Sequence, residues 1–136
     1  FDRDPDYLII RLPGGRELYY YKPEVRRNVL GRDAVHFQGA DQKTKRWGYV
    51  STYGGKLTEN IVQAVARDIL AGAMMNLHLA GYRINFHIHD EVILEVPKNS
   101  GKSLAEAVSL MCRPPAWAPD LPLDAAGFEA EYYMKD

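Results

Sequence analysis

The chain has 136 residues, 46% of them hydrophobic, and a formal net charge of -1. That is enough apolar material for a packed core, and no apolar run reaches membrane-spanning length. One cysteine, Cys112, excludes an internal disulfide and a CxxC-type zinc site. No signal-peptide pattern is present, and a chain that begins at Phe1 reads as a piece of a longer protein. The charge is unevenly placed. Residues 1–56 carry 11 Lys/Arg against 7 Asp/Glu, and residues 57–136 carry 6 against 11. A basic front and an acidic back suit a protein that meets a polyanion on one side and holds cations on the other, although charged loops alone would give the same counts.

In chain order, residues 8–12, the punctuation Pro13-Gly14-Gly15 and residues 17–21 form a hairpin signal. Residues 23–33 read as a basic loop, with Arg26, Arg27 and Arg32 following Lys22. Two short strands are expected at 35–38 and 46–52, separated by a turn at 41–44, and Gly54-Gly55 ends the strand-rich part. The Tyr19-Tyr20-Tyr21 run reads as hairpin packing rather than base stacking.

The period then changes. Ile61, Val65, Ile69, Ala73 and Leu77 recur at steps of four, which predicts a helix from residue 56 or 57 to residue 80, stopped by Gly81. Lys56, Asn60, Gln63 and Arg67 are spaced four, three and four, so they fall on one line of that helix. The line offers donors and no carboxylate, with Glu59 and Asp68 off it. Phosphates, sugars or minor-groove base edges would suit it, and so would an ordinary solvated face.

Residues 82–89 alternate, with Tyr82, Ile84, Phe86 and Ile88 apolar, and the beat resumes at Val92, Leu94 and Val96 before Pro97. His89-Asp90-Glu91 therefore sits at the bend of a hairpin. Two acids at such a bend repel unless a cation sits between them and a partner, which marks a candidate divalent-metal site. His87 and His89 on one strand face also suggest zinc in a hydrolase, but no third neutral ligand is nearby. A second helix is expected over 103–111, with Ser103 and Glu106 at capping-box spacing. A proline-rich loop follows, and Phe128, Ala130, Tyr132 and Met134 alternate as a last strand. These elements sum to an α+β fold: an antiparallel sheet backed by one long and one shorter helix and preceded by short β-hairpins. A single domain is expected over 1–136, strand-rich and basic through 53, then helix, hairpin, helix and strand over 54–136.

Tyr53-Gly54-Gly55-Lys56-Leu57-Thr58-Glu59-Asn60-Ile61-Val62-Gln63-Ala64, followed after a strand by His89-Asp90-Glu91, resembles the C-terminal palm of family A (DNA polymerase I-like) DNA polymerases, especially the bacteriophage and prophage branch. The likeness extends from Gly48 through Pro97 and resumes from Leu121 to the end. It implies a DNA-directed DNA polymerase that joins nucleotides by a two-metal displacement on primer–template DNA, in the cytoplasm of a bacterial host. Asp90 would match the motif C aspartate that holds Mg²⁺, Glu91 the supporting acid, and His89 a neighbour of the primer terminus. Asn60 and Gln63 would lie on the helix that reads the minor groove. The family pattern has Arg, Asn and Gln spaced four and four, whereas Lys56, Asn60 and Gln63 are spaced four and three. The resemblance also implies partners outside the chain: the deoxynucleotide, the fingers, the thumb, and the motif A part of the palm with its second metal-binding aspartate. Lys45, Tyr49 and Tyr53-Gly54 imitate the fingers-helix spacing, but Asp41 stands where an Arg belongs. The chain alone is expected to extend no primer. The alternatives are a non-catalytic nucleic-acid-binding module and the His/Asp metal-dependent hydrolase.

Overall fold

The computed structural model describes residues 2–134 and shows an α+β fold with two antiparallel sheets and two helices. Five strands form the first sheet in sequential order: β1 (Asp2–Arg3), β2 (Tyr7–Arg11), β3 (Glu17–Arg27), β4 (Asp33–Ala40) and β5 (Trp47–Thr52). Helix α1 (Gly54–Leu79) follows, then the hairpin β6 (Arg83–Ile88) and β7 (Glu91–Glu95), and helix α2 (Leu104–Met111). The chain divides into two compact units, Phe1–Val65 and Ala66–Asp136, and the division falls inside α1.

In the first unit the turns follow their residue types. Gly15, not Gly14, takes the positive φ of 89°, and its amide donates to the Leu12 carbonyl. With Pro13 fixing the preceding φ, this is a tight turn that ends on a left-handed glycine. Asn28 Oδ1 accepts from the Leu30 and Arg32 amides at 2.9 and 3.1 Å, closing β3 onto β4. Asp41 Oδ1 accepts from the Lys43 and Thr44 amides at 2.9 and 2.7 Å, closing β4 onto β5. Period-two alternation directs Ile10, Leu12, Tyr20 and Thr52 inward, where all four are buried. Tyr20 meets Phe37 edge-on at 5.0 Å and accepts from Asn60 Nδ2 at 3.1 Å.

The expected basic loop at 23–33 is mostly strand. β3 runs through Pro23 to Arg27, and the register against β4 shifts between Tyr21 and Glu24. Proline has no amide to give a ladder, so it is accommodated at this bulge, beside Lys22 with φ 47°. The segment Trp47–Thr52 is strand β5, which removes the fingers-helix imitation.

In the second unit, the Gly81 stop is a Schellman motif. Tyr82 N donates to Leu77 O at 3.0 Å, Gly81 N donates to His78 O at 2.8 Å, and Gly81 has φ 79°. The two residues joined by the longer bond, Leu77 and Tyr82, pack with Ala107 and Leu110 as the core, flanked by Ile84, Val92 and Leu94. Leu77 is 0% exposed, a burial that contributes about 1.5–3 kcal/mol. Ser103 caps α2 by accepting from Glu106 N at 3.2 Å. The Glu106 carboxylate does not return to close the expected capping box; it accepts from Tyr82 Oη at 2.5 Å.

Two expectations fail in this unit. The β6 alternation is broken by a register shift between Ile84 and Phe86, which leaves Phe86 exposed. The last strand expected at 128–134 is absent: no ladder joins those residues to either sheet. They are held by side chains instead, through a Phe86–Tyr133 ring contact at 5.2 Å and a Lys98–Glu131 ion pair at 2.9 Å. Alternation states which side chains share a face and says nothing about whether a partner edge exists.

Candidate functional site

Ile88 pairs with Glu91, so His89 and Asp90 are the two residues of a tight hairpin turn. Glycine or asparagine is the usual first residue of such a turn, because φ there must be positive. Here that residue is His89, with φ 49°. A non-glycine side chain in this region costs on the order of 1 kcal/mol. Histidine, with asparagine and aspartate, is enriched among the non-glycine residues found there. The turn projects His89, Asp90 and Glu91 into solvent, all three exposed. Neither carboxylate makes a hydrogen bond or ion pair with another described residue. Two adjacent carboxylates on a rigid tip are therefore left free for a ligand from outside.

The donor set decides what that ligand could be. Carboxylate oxygens are hard donors suited to Mg²⁺ or Ca²⁺. No group of three or more His, Cys, Asp or Glu that could hold a metal occurs among the described residues. The turn thus fits a hard cation in the kind of its donors and falls short in their number. The zinc reading fares worse, because Arg67 occupies His87. Its Nη1 lies 3.2 Å from His87 Nδ1 and its Nη2 lies 3.2 Å from Nε2. An imidazole has one acceptor nitrogen at most, so one of these contacts is a hydrogen bond and the other is packing. A guanidinium at that distance repels a second cation.

Helix α1 carries the other expected residues. Lys56 and Asn60 are half-buried and Gln63 and Arg67 are exposed. The line is not free of carboxylate: Glu59 bonds Lys56 Nζ at 3.0 Å and accepts from Gln63 Nε2 at 3.2 Å. Residues three and four apart on a helix meet, and Glu59 stands between both partners. Asn60 is turned to Tyr20, and Arg67 to His87. Each of the four donors has an internal partner, the exposed ones in weak contacts that a stronger acceptor could displace.

Comparison with known proteins adds one finding. The chain is 45% identical over 130 residues to the DNA polymerase of Bacillus phage SP02, a match covering 95% of this chain and 20% of that protein. The chain therefore spans about a fifth of the length of the curated relative it matches. No family model matches it, and no solved structure matches it. No helix among the described residues is long and apolar enough to cross a membrane.

Proposed function

We propose that this chain is the C-terminal palm portion of a family A DNA polymerase, in which Asp90 supplies one of the carboxylates of a two-metal nucleotidyl-transfer site. The observation that carries the proposal is the turn itself. A tight hairpin spends backbone strain at His89 and leaves Asp90 and Glu91 without internal partners, on a chain homologous to a phage DNA polymerase.

Bound divalent metal would supply Lewis-acid polarisation of the nucleotide α-phosphate and of the primer 3′-hydroxyl. The chain's own residues hold and position. Asp90 offers hard oxygens at the hairpin tip, Glu91 lies beside it at the start of β7, and His89 faces outward next to them. Arg67 braces the same hairpin from α1 through His87. Gln63, Asn60 and Lys56 continue along α1 as donors for the minor groove of the primer–template duplex, whose acceptors are degenerate and report pair geometry without sequence. The remaining metal ligands, the deoxynucleotide grip of the fingers and the thumb belong to the longer chain, acting in the bacterial cytoplasm.

Primer extension by the polymerase that carries this segment tests the assignment. Asp90→Asn keeps size and removes charge, and it should lower the rate at least about 10³-fold, roughly 4 kcal/mol of transition-state stabilisation, with duplex affinity unchanged. Extension at the parent rate by Asp90→Asn would exclude Asp90 as a ligand.

A further inference from the structure

The outer face of the five-stranded sheet carries a chemistry that the polymerase reading does not use. Register places Tyr7 opposite Tyr21, Tyr21 opposite Gln38, and Gln38 opposite Tyr49, so one row of a single face crosses four strands. Tyr20, next to Tyr21, points to the opposite, buried face. Tyr19 lies on the open face with Tyr7, their rings edge to face at 5.7 Å, and Tyr7 and Tyr21 are 5.3 Å apart. Trp47, two residues before Tyr49 on β5, shares that face. Trp47 is 68% exposed, Tyr19 57% and Tyr49 42%. Trp47 makes no ring or cation contact with another described residue.

The charges on this face favour a polyanion. Its carboxylates are already taken up: Glu17 by Arg11 and Tyr19, and Glu24 by Arg26 and Tyr49. Asp6, at its edge, is held by Lys22. The β4–β5 turn beside Trp47 brings Lys43, Lys45 and Arg46 around one carboxylate, Asp41, whose oxygen is taken up by the Lys43 and Thr44 amides; none of the three cations forms an ion pair within 4 Å among the described residues. Lys45 occupies a φ of 57°, where glycine or asparagine would be the default. Arg26 lies over Tyr49, its guanidinium carbon 3.9 Å from the ring centroid, so a cation sits on the aromatic face of the row.

We infer that this Tyr/Trp face binds single-stranded nucleic acid, with bases stacked on Trp47, Tyr49–Arg26 and the Tyr7–Tyr19–Tyr21 group and the backbone phosphates led past Lys43, Lys45 and Arg46. Planar rings spaced across a sheet face with cations along the rim are what unpaired bases and their phosphates require. A duplex hides its base faces and cannot use such a platform. The surface lies wholly within the first unit and does not depend on the role of Asp90.

Fluorescence anisotropy with a labelled 20-nucleotide oligo-dT tests this on the whole chain, with the same strand in duplex form as the comparison. The chain should prefer the single strand and lose affinity as salt rises. Trp47→Ala combined with Tyr49→Ala should weaken oligo-dT binding at least tenfold with the far-ultraviolet spectrum unchanged, and Tyr49→Phe, which keeps the ring, should stay near the parent. Asp90→Asn should leave this binding unaltered even if it abolishes polymerase activity. In a Trp117→Phe chain, where Trp47 is the lone indole, oligo-dT should quench its emission, a reading independent of any loss of fold in the double variant. Absence of quenching, oligo-dT binding by the folded double variant within twofold of the parent, or no binding by the parent at low salt would each overturn the proposal and leave the face to a protein neighbour.

Discussion

His89 spends backbone energy at a position where a glycine would spend less, and that trade is testable by itself. Its φ of 49° costs a side-chain-bearing residue on the order of 1 kcal/mol. His89→Gly should therefore stabilise the chain by up to about 1 kcal/mol in equilibrium denaturant unfolding, while under the proposed function a polymerase built with the variant segment loses rate. A loss of stability in equilibrium unfolding would show that the imidazole is held by packing and not retained for its function. The turn residues were legible in the sequence because loops expose their chemistry: two acids between two alternating strands cannot be core. Glu59 was not legible in the same way. Helical spacing places residues on faces, but a glutamate between two lines can swing to either, and here it reaches Lys56 and Gln63. The Tyr19-Tyr20-Tyr21 run was half legible. Tyr20 packs into the buried face, while Tyr19 and Tyr21, turned outward by period two, pack on Tyr7 across the hairpin; the sequence did not show that two faces share the packing.

At the scale of elements, helix α1 and the β6–β7 hairpin follow from periodicity and punctuation almost residue for residue, since Leu77, Gly81 and Tyr82 together fix where the helix stops and the strand begins. The bulges were not readable, because a bulge shifts register without changing composition; Pro23 was the one visible warning. The expected last strand failed for lack of a partner edge, which no local pattern reports. Tyr82 ties the hairpin to α2 through bonds to Ser103 O and Glu106 Oε2 at 3.1 and 2.5 Å. Burial, then the hydrogen bond with Glu106, raises its pKa above the ordinary 10.0. The folded state thus favours the neutral phenol. Its contribution is fully present below pH 10 and is lost as pH rises through the elevated value. Tyr82→Phe should lower stability by about 1 kcal/mol at neutral pH and flatten the alkaline side of the unfolding curve. An unchanged alkaline limb in Tyr82→Phe would assign that limb to other groups.

Across the whole molecule, the order of alternating and helical segments indicated an α+β chain, and its contacts fall into two units whose boundary lies within a helix that reads as continuous. No periodicity could have shown that boundary, because it depends on which elements pack together. The site, too, needs groups this chain does not bring. The chain spans about a fifth of a phage DNA polymerase to which it is 45% identical, and its turn brings two carboxylates where a metal centre needs more. Contact between Asp90 and the metal is read by metal rescue. In a polymerase built with this segment, Asp90→Cys replaces a hard oxygen with a softer thiolate, which discriminates against Mg²⁺ and accepts Mn²⁺ or Cd²⁺ more readily. Single-turnover nucleotide incorporation should collapse with Mg²⁺ and recover at least tenfold when Mn²⁺ or Cd²⁺ is supplied, with no such recovery in Asp90→Ala. Full Mg²⁺-supported incorporation by Asp90→Cys, or equal rescue of Asp90→Ala, would show that Asp90 does not touch the metal.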